Sequence, residues 1–125
     1  MWTSSPDNIP TETSYAILQA MSAITRLPEI TERIVNASQP EKIILFGSHA
    51  RGDFGPDSDL DLLVVIRGVK HLRAEGTRLR GALRGLLVPV DIVVATPEQL
   101  ERLGDVPGMV YRTALKEGKV VYERG

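Results

Sequence analysis

Cysteine is absent from this chain, so it can form neither disulfides nor a thiolate centre, which fits a reducing cytoplasm. Charge of one sign is scarce in excess: the formal net charge is −1 and the pI about 6.1. Nucleic-acid binding rests on neutralising many phosphates, so an extended nucleic-acid partner is disfavoured. No apolar run approaches the roughly 20 residues of a membrane span, and the polar start of the chain does not read as a signal peptide. At 125 residues the chain holds one domain able to bury about two-thirds of its unfolded surface. There is room for a small sheet with helices, and none for a polymerase's additional domains.

What the sequence does contain is concentrated between Gly47 and Asp61. Lys42-Ile43-Ile44-Leu45-Phe46 has the apolar, β-branched and aromatic composition of a buried strand. Gly47 and Ser48 follow at its carboxyl end, where open α/β sheets bind ligands. A glycine there lets a phosphate approach the backbone, and a helix starting at Ser48 would turn its first N–H groups toward the anion. Asp59-Leu60-Asp61 then runs into Leu62-Leu63-Val64-Val65-Ile66, a second strand over 60–66. Alternation places Asp59 and Asp61 on one side and Leu60 in the core. Two such carboxylates repel by about 4 kcal/mol at ~4 Å and an effective dielectric near 20, a cost that a bound cation relieves. Oxygen-only ligands suit Mg²⁺ or Mn²⁺.

Asp91 interrupts the apolar strand 88–95, where a charge is costly without a partner or a metal. If that strand lies beside the Asp59/Asp61 strand, the three carboxylates converge and can hold two Mg²⁺ for in-line displacement at phosphorus.

The combination of Gly47-Ser48, ten intervening residues, Asp59-Leu60-Asp61 and a later Asp91 resembles the minimal nucleotidyltransferases of the polymerase-beta superfamily. Gly47-Ser48-His49-Ala50-Arg51-Gly52 and Ser58-Asp59-Leu60-Asp61-Leu62 carry the likeness, which extends from about Lys42 to Tyr122. Gly-Ser or Asp-x-Asp alone would be weak signals. The resemblance implies an α/β (α+β) fold, a small mixed sheet of about four strands flanked by helices. It also implies ATP as donor, Asp59, Asp61 and Asp91 as metal ligands, and Gly47 and Ser48 at the β- and γ-phosphates.

Along the chain, 1–10 reads as a loose tail and 11–125 as a single domain. Thr11 caps a helix carrying Ile17, Leu18, Met21 and Ile24; Pro28 starts a second one through Ile30, Ile34 and Val35, ended by Ser38-Gln39-Pro40. A helix from about Val69 to Leu87 is weakened by Gly76, Gly81 and Gly85. Thr96-Pro97-Glu98 caps a short helix through Leu103, a last helix spans 108–116, and 119–123 closes as a strand.

Other residues have a plainer reading beside the functional one. Arg51 is either a salt-bridge partner of Asp53 or Asp57 clamping the loop, or, by the resemblance, a triphosphate contact. Ser58 caps or orients the metal-binding turn, and Gly52 serves backbone geometry. His49 reads as a bystander, and His71 and Trp2 carry no specific signal. Arg67, Lys70, Arg73, Arg78, Arg80 and Arg84 read as a solvated helix face, the alternative being a docking surface for an acidic partner or the triphosphate tail.

The implied reaction is transfer of AMP from ATP to an acceptor hydroxyl, with Asp91 also available as proton acceptor. Stand-alone chains of this size resemble antitoxins paired with a helical HEPN-domain ribonuclease toxin, which makes a toxin tyrosine the expected acceptor. Two alternatives stay open: an antitoxin that acts by binding alone, and a small-molecule, antibiotic-type nucleotidyltransferase completed by a second subunit. Homo- or hetero-oligomerisation is also open.

Overall fold

The computed structural model describes residues 23–55 and 58–125. The expected 1–10 tail and most of the helix begun at Thr11 lie outside them; residues 23–25 are helical. The elements run α1 (Leu27–Ser38), β1 (Lys42–Phe46), α2 (Ser48–Arg51), β2 (Leu60–Val65), α3 (Leu72–Ala82), β3 (Val90–Ala95), α4 (Pro97–Leu103), α5 (Val110–Glu117) and β4 (Lys119–Glu123). The strands form one mixed sheet in the order β3-β2-β1-β4. β1 is antiparallel to both of its neighbours, whereas β2 and β3 run parallel.

Strand alternation explains the layering. Ile43 and Leu45 of β1, Leu60, Leu62 and Val64 of β2, and Ile92 and Val94 of β3 face one way, where they meet Ile30 and Ile34 of α1 and Leu79 of α3. Ile44, Phe46, Leu63, Val65 and Ala95 face the other, against Ala114 of α5, with Leu100 and Tyr111 packed alongside. The central strands are buried on both faces, which is why they read as continuous apolar runs.

Local signals account for most boundaries. Pro28 stands in the first turn of α1, and Gln39, with φ 48°, closes it by donating its N–H to Val35. Thr96 and Gln99 form a reciprocal capping box at the start of α4. The helix expected to reach Leu87 ends instead at Ala82. Gly85 at φ 92° and Leu87 at φ 56° turn left-handed there, a conformation no continuing helix permits. The strand expected from 88 begins at Val90, and the last helix begins at Val110 rather than 108. Gly118 joins α5 to β4 so closely that a Cβ would strike the Ala114 carbonyl and Ile44 Cγ2.

Leu62 is fully buried in the middle of β2. Leu62→Ala is expected to cost about 2–5 kcal/mol, read as a lower urea midpoint with an unchanged denaturant slope.

Candidate functional site

The site forms at the end of the sheet where β1 finishes and β2 begins. Phe46 of β1 pairs with Asp61 of β2, and Asp61 lies level with Asp91 of the parallel strand β3. Asp61 and Asp91 share the sheet face of Leu63 and Val93, since each sits two residues before one of them. Asp59 immediately precedes β2 rather than belonging to it, and its side chain is exposed. The condition set by the sequence, that the Asp91 strand lie beside the Asp59/Asp61 strand, is met by the parallel register.

Electrostatics bears out the crowding. The Asp61 carboxyl is held above the usual carboxylate range, first by burial and then by the negative charges of Asp91 and Asp59. The His49 and Arg51 charges act in the opposite direction. These are hard oxygen donors of the kind Mg²⁺ and Mn²⁺ prefer, so the donor set fits such an ion. Among the described residues, however, no three acids or histidines are drawn together as a ready-made metal cage. Asp61 and Asp91 are neighbours in register and Asp59 lies two residues before Asp61, but the three side chains have not closed on a common point.

Gly47 sits against this cluster. Its φ is +77°, and a Cβ on it would run into the Asp61 carboxylate. Only glycine combines that backbone conformation with so close an approach. Ser48 then opens α2, whose first N–H groups have no acceptor within the helix; the next two, from Ala50 and Arg51, reach the Gly47 carbonyl at 3.1 Å.

The remaining loop residues are committed to holding the loop. Arg51 donates from Nε to Asp53 Oδ2 at 3.2 Å and from Nη1 to Glu117 Oε1 at 3.3 Å, tying α2 to the end of α5. These half-exposed pairs contribute little stability, yet they occupy the guanidinium as a clamp. The alternative partner, Asp57, lies outside the described residues. Ser58 accepts a hydrogen bond on Oγ from the Gly55 N–H at 2.8 Å, and its own N–H bonds the Gly55 carbonyl at 3.2 Å. Gly52 has φ +88° and closes α2 on the Ser48 carbonyl.

His49 is more than a bystander. It is 6% exposed, lies parallel to the Phe54 ring with centroids 4.9 Å apart, and places Nδ1 3.0 Å from the Asp59 carbonyl. A carbonyl only accepts, so Nδ1 carries the proton and fixes the backbone beside the first acid. Among the described residues Nε2 is buried without a hydrogen-bond partner. Sequence reasoning missed this anchor because a four-residue helix has no periodicity from which to read an inward face; it missed Phe54 and Glu117 because a loop residue and the end of a distant helix carry no local signal of their partners.

The arginine set divides in the same way. Arg67 pairs with Glu41, Arg78 with Glu75, and Arg80 with Asp91 itself. Two cavities of about 540 and 570 Å³ are not lined by Asp59, Asp61 or Asp91. The first is lined by Glu41, Lys42, Arg67 and Leu100, the second by Leu27, Leu45, His49, Phe54 and Val120. No helix among the described residues is long and apolar enough to cross a membrane.

A family model described as "Nucleotidyltransferase domain" matches residues 24–121. Two proteins of Methanocaldococcus jannaschii, each named "Putative protein adenylyltransferase", are similar in sequence. One is 32% identical over 84 residues, which cover 66% of this chain and 78% of the relative. The other is 36% identical over 44 residues, 35% of this chain and 44% of the relative, so that match spans less than half of the relative's length. A solved structure described as a "putative nucleotidyltransferase" from Sulfolobus solfataricus aligns with a TM-score of 0.62 at 25% identity, over 87% of each chain.

The raised Asp61 carboxyl has a consequence for stability. An acid whose folded pKa exceeds its unfolded value makes stability fall as pH rises from the unfolded toward the folded pKa, and the deficit persists above it. Asp61→Asn is therefore expected to raise Tm at pH 7 without divalent cation, with the gain disappearing below the unfolded Asp range near 3.8. Thermal melts across pH check it; a lower Tm at pH 7 contradicts the account.

Proposed function

The chain belongs to the nucleotidyltransferase domain family, and from that premise we propose that it transfers AMP from ATP to a hydroxyl of a protein acceptor, with release of pyrophosphate. The observation that carries this reading is the parallel register of Asp61 and Asp91 beside the Gly47 turn. It joins a cluster of hard oxygen donors to a backbone approach from which no Cβ projects. The names of the Methanocaldococcus jannaschii relatives favour a protein as acceptor.

In this reading Asp59, Asp61 and Asp91 hold Mg²⁺, or Mn²⁺ in its place. When bound, the ions neutralise charge on the triphosphate and lower the pKa of the attacking hydroxyl. The chain's own residues do the rest. Gly47 and Ser48 present backbone N–H groups and the Ser48 hydroxyl to the β- and γ-phosphates. His49, through the Asp59 carbonyl, holds the first acid in place. Arg51 ties α2 to the end of α5, and Ser58 accepts from the Gly55 N–H ahead of the first acid. The acceptor oxygen forms a bond to the α-phosphorus as the bond from that phosphorus to the pyrophosphate oxygen breaks. Asp91 takes the hydroxyl proton.

The acceptor in this proposal is a tyrosine of a HEPN-domain toxin, whose modification silences it; the support is resemblance to antitoxins of two-gene modules. The chain then acts inside the cytoplasm as an antitoxin.

Incubation of the full chain with α-labelled ATP, Mg²⁺ and the neighbouring gene's product tests the reaction. The expected outcome is label on that protein, reduced roughly a hundredfold or more in Asp59→Asn and in Asp61→Asn. Neutralisation without label, surviving both substitutions, would show a binding antitoxin instead. Label only on an added aminoglycoside would show a small-molecule enzyme.

A further inference from the structure

Asp91 has a partner that the transfer reaction does not use. Arg80 Nη2 stands 3.4 Å from Asp91 Oδ1, and the same nitrogen donates to the Ile92 carbonyl at 3.2 Å. Among the described residues Arg80 is the one cation in ion-pair reach of Asp59, Asp61 or Asp91. Its route there is informative. α3 carries Arg80 and packs Leu79 into the layer with Ile92 and Val94, the face of the sheet opposite to Asp91. β3 is an edge strand, so the guanidinium reaches Asp91 around that edge. The bond to the Ile92 carbonyl anchors it to the strand that bears the acid.

We propose that Arg80 is a resident counter-cation of the acid cluster: it draws the Asp91 carboxylate toward the sheet edge and competes with a divalent cation for it. The proposal rests on the reading of the three acids as cation ligands. It accounts for two facts that otherwise sit awkwardly together. Asp61 and Asp91 stand level in the parallel register, yet among the described residues the three carboxylates do not form a closed cage. A guanidinium engages a carboxylate through directed N–H bonds, and here it holds Asp91 Oδ1, so an ion that takes Asp91 as ligand competes with it for the carboxylate's charge and orientation. Arg80 thereby sets the cation concentration at which the three acids close together, acting as a positioning residue rather than as a contact to substrate.

Mn²⁺ titrated into the full chain, with free ion followed by its EPR signal, tests this without any turnover. Arg80→Met is expected to bind Mn²⁺ about two- to fivefold more tightly, the range that a half-exposed ion pair allows. Arg80→Lys, which keeps the charge, should stay close to wild type. In an Asp91→Asn background the Arg80→Met gain should vanish, since the pair is already broken. Arg80 is half-exposed, and thermal melts verify that each variant is folded, with Arg80→Gln replacing Arg80→Met if needed. Unchanged or weaker Mn²⁺ binding in the neutral variant overturns the proposal while leaving the cation site standing, as does a gain that persists with Asp91→Asn. A wild type that takes up no Mn²⁺ overturns the cation reading and this inference with it.

Discussion

Mutual repulsion among Asp59, Asp61 and Asp91 is the constraint around which the site end of this fold is built. Carboxylates are brought together only where something stiffer than a side chain holds them, and here that is the parallel ladder between β2 and β3, which sets Asp61 level with Asp91. A slip of one residue would turn Asp91 into the layer with Leu62 and Leu79 and remove it from the cluster. The register is protected because Leu60, Leu62, Ile92 and Val94 are buried on that opposite face. The hydrophobic core and the acid cluster are thus two consequences of one alignment.

The surroundings of the cluster are arranged to withstand that repulsion. Gly47 leaves space for the Asp61 carboxylate that any side chain would fill. His49 secures the Asp59 backbone from beneath, and Arg51 bridges the loop to α5. Burial, which ordinarily strengthens a structure, here raises the Asp61 carboxyl above its usual range. A site of this kind sacrifices stability to keep its charges close, a pattern common where chemistry requires them.

Family membership and geometry answer different questions. The match over residues 24–121 and the likeness to the Sulfolobus solfataricus structure give the class and the fold. The geometry adds how this chain positions its residues: which loop groups are occupied with one another, and which cation accompanies the third acid. In the sequence Arg51 reads as either a loop clamp or a triphosphate contact, and Arg80 as one residue of a solvated basic face. One proves to be a clamp between elements and the other an ion-pair partner of Asp91.

The amino-acid sequence by itself determined the elements and the composition of the site. Apolar runs, Pro28, the Thr96 cap and the Gly47-Ser48 to Asp59-Leu60-Asp61 spacing are local signals, and local rules suffice to read them. It could not place the end of α3 at Ala82, where glycines interrupt the helical stripe and left-handed Gly85 and Leu87 follow beyond the end. Arg51's local partner Asp53 was legible, but the partners of His49 and Arg80, and the second partner of Arg51, were not. Arg51 meets Glu117 across 66 positions of chain and Arg80 meets Asp91 across 11, and no periodicity connects such pairs. Only the tertiary structure decided them, because a side chain's partner depends on which elements the sheet order brings alongside, and strand pairing over long separations leaves no trace in the local pattern.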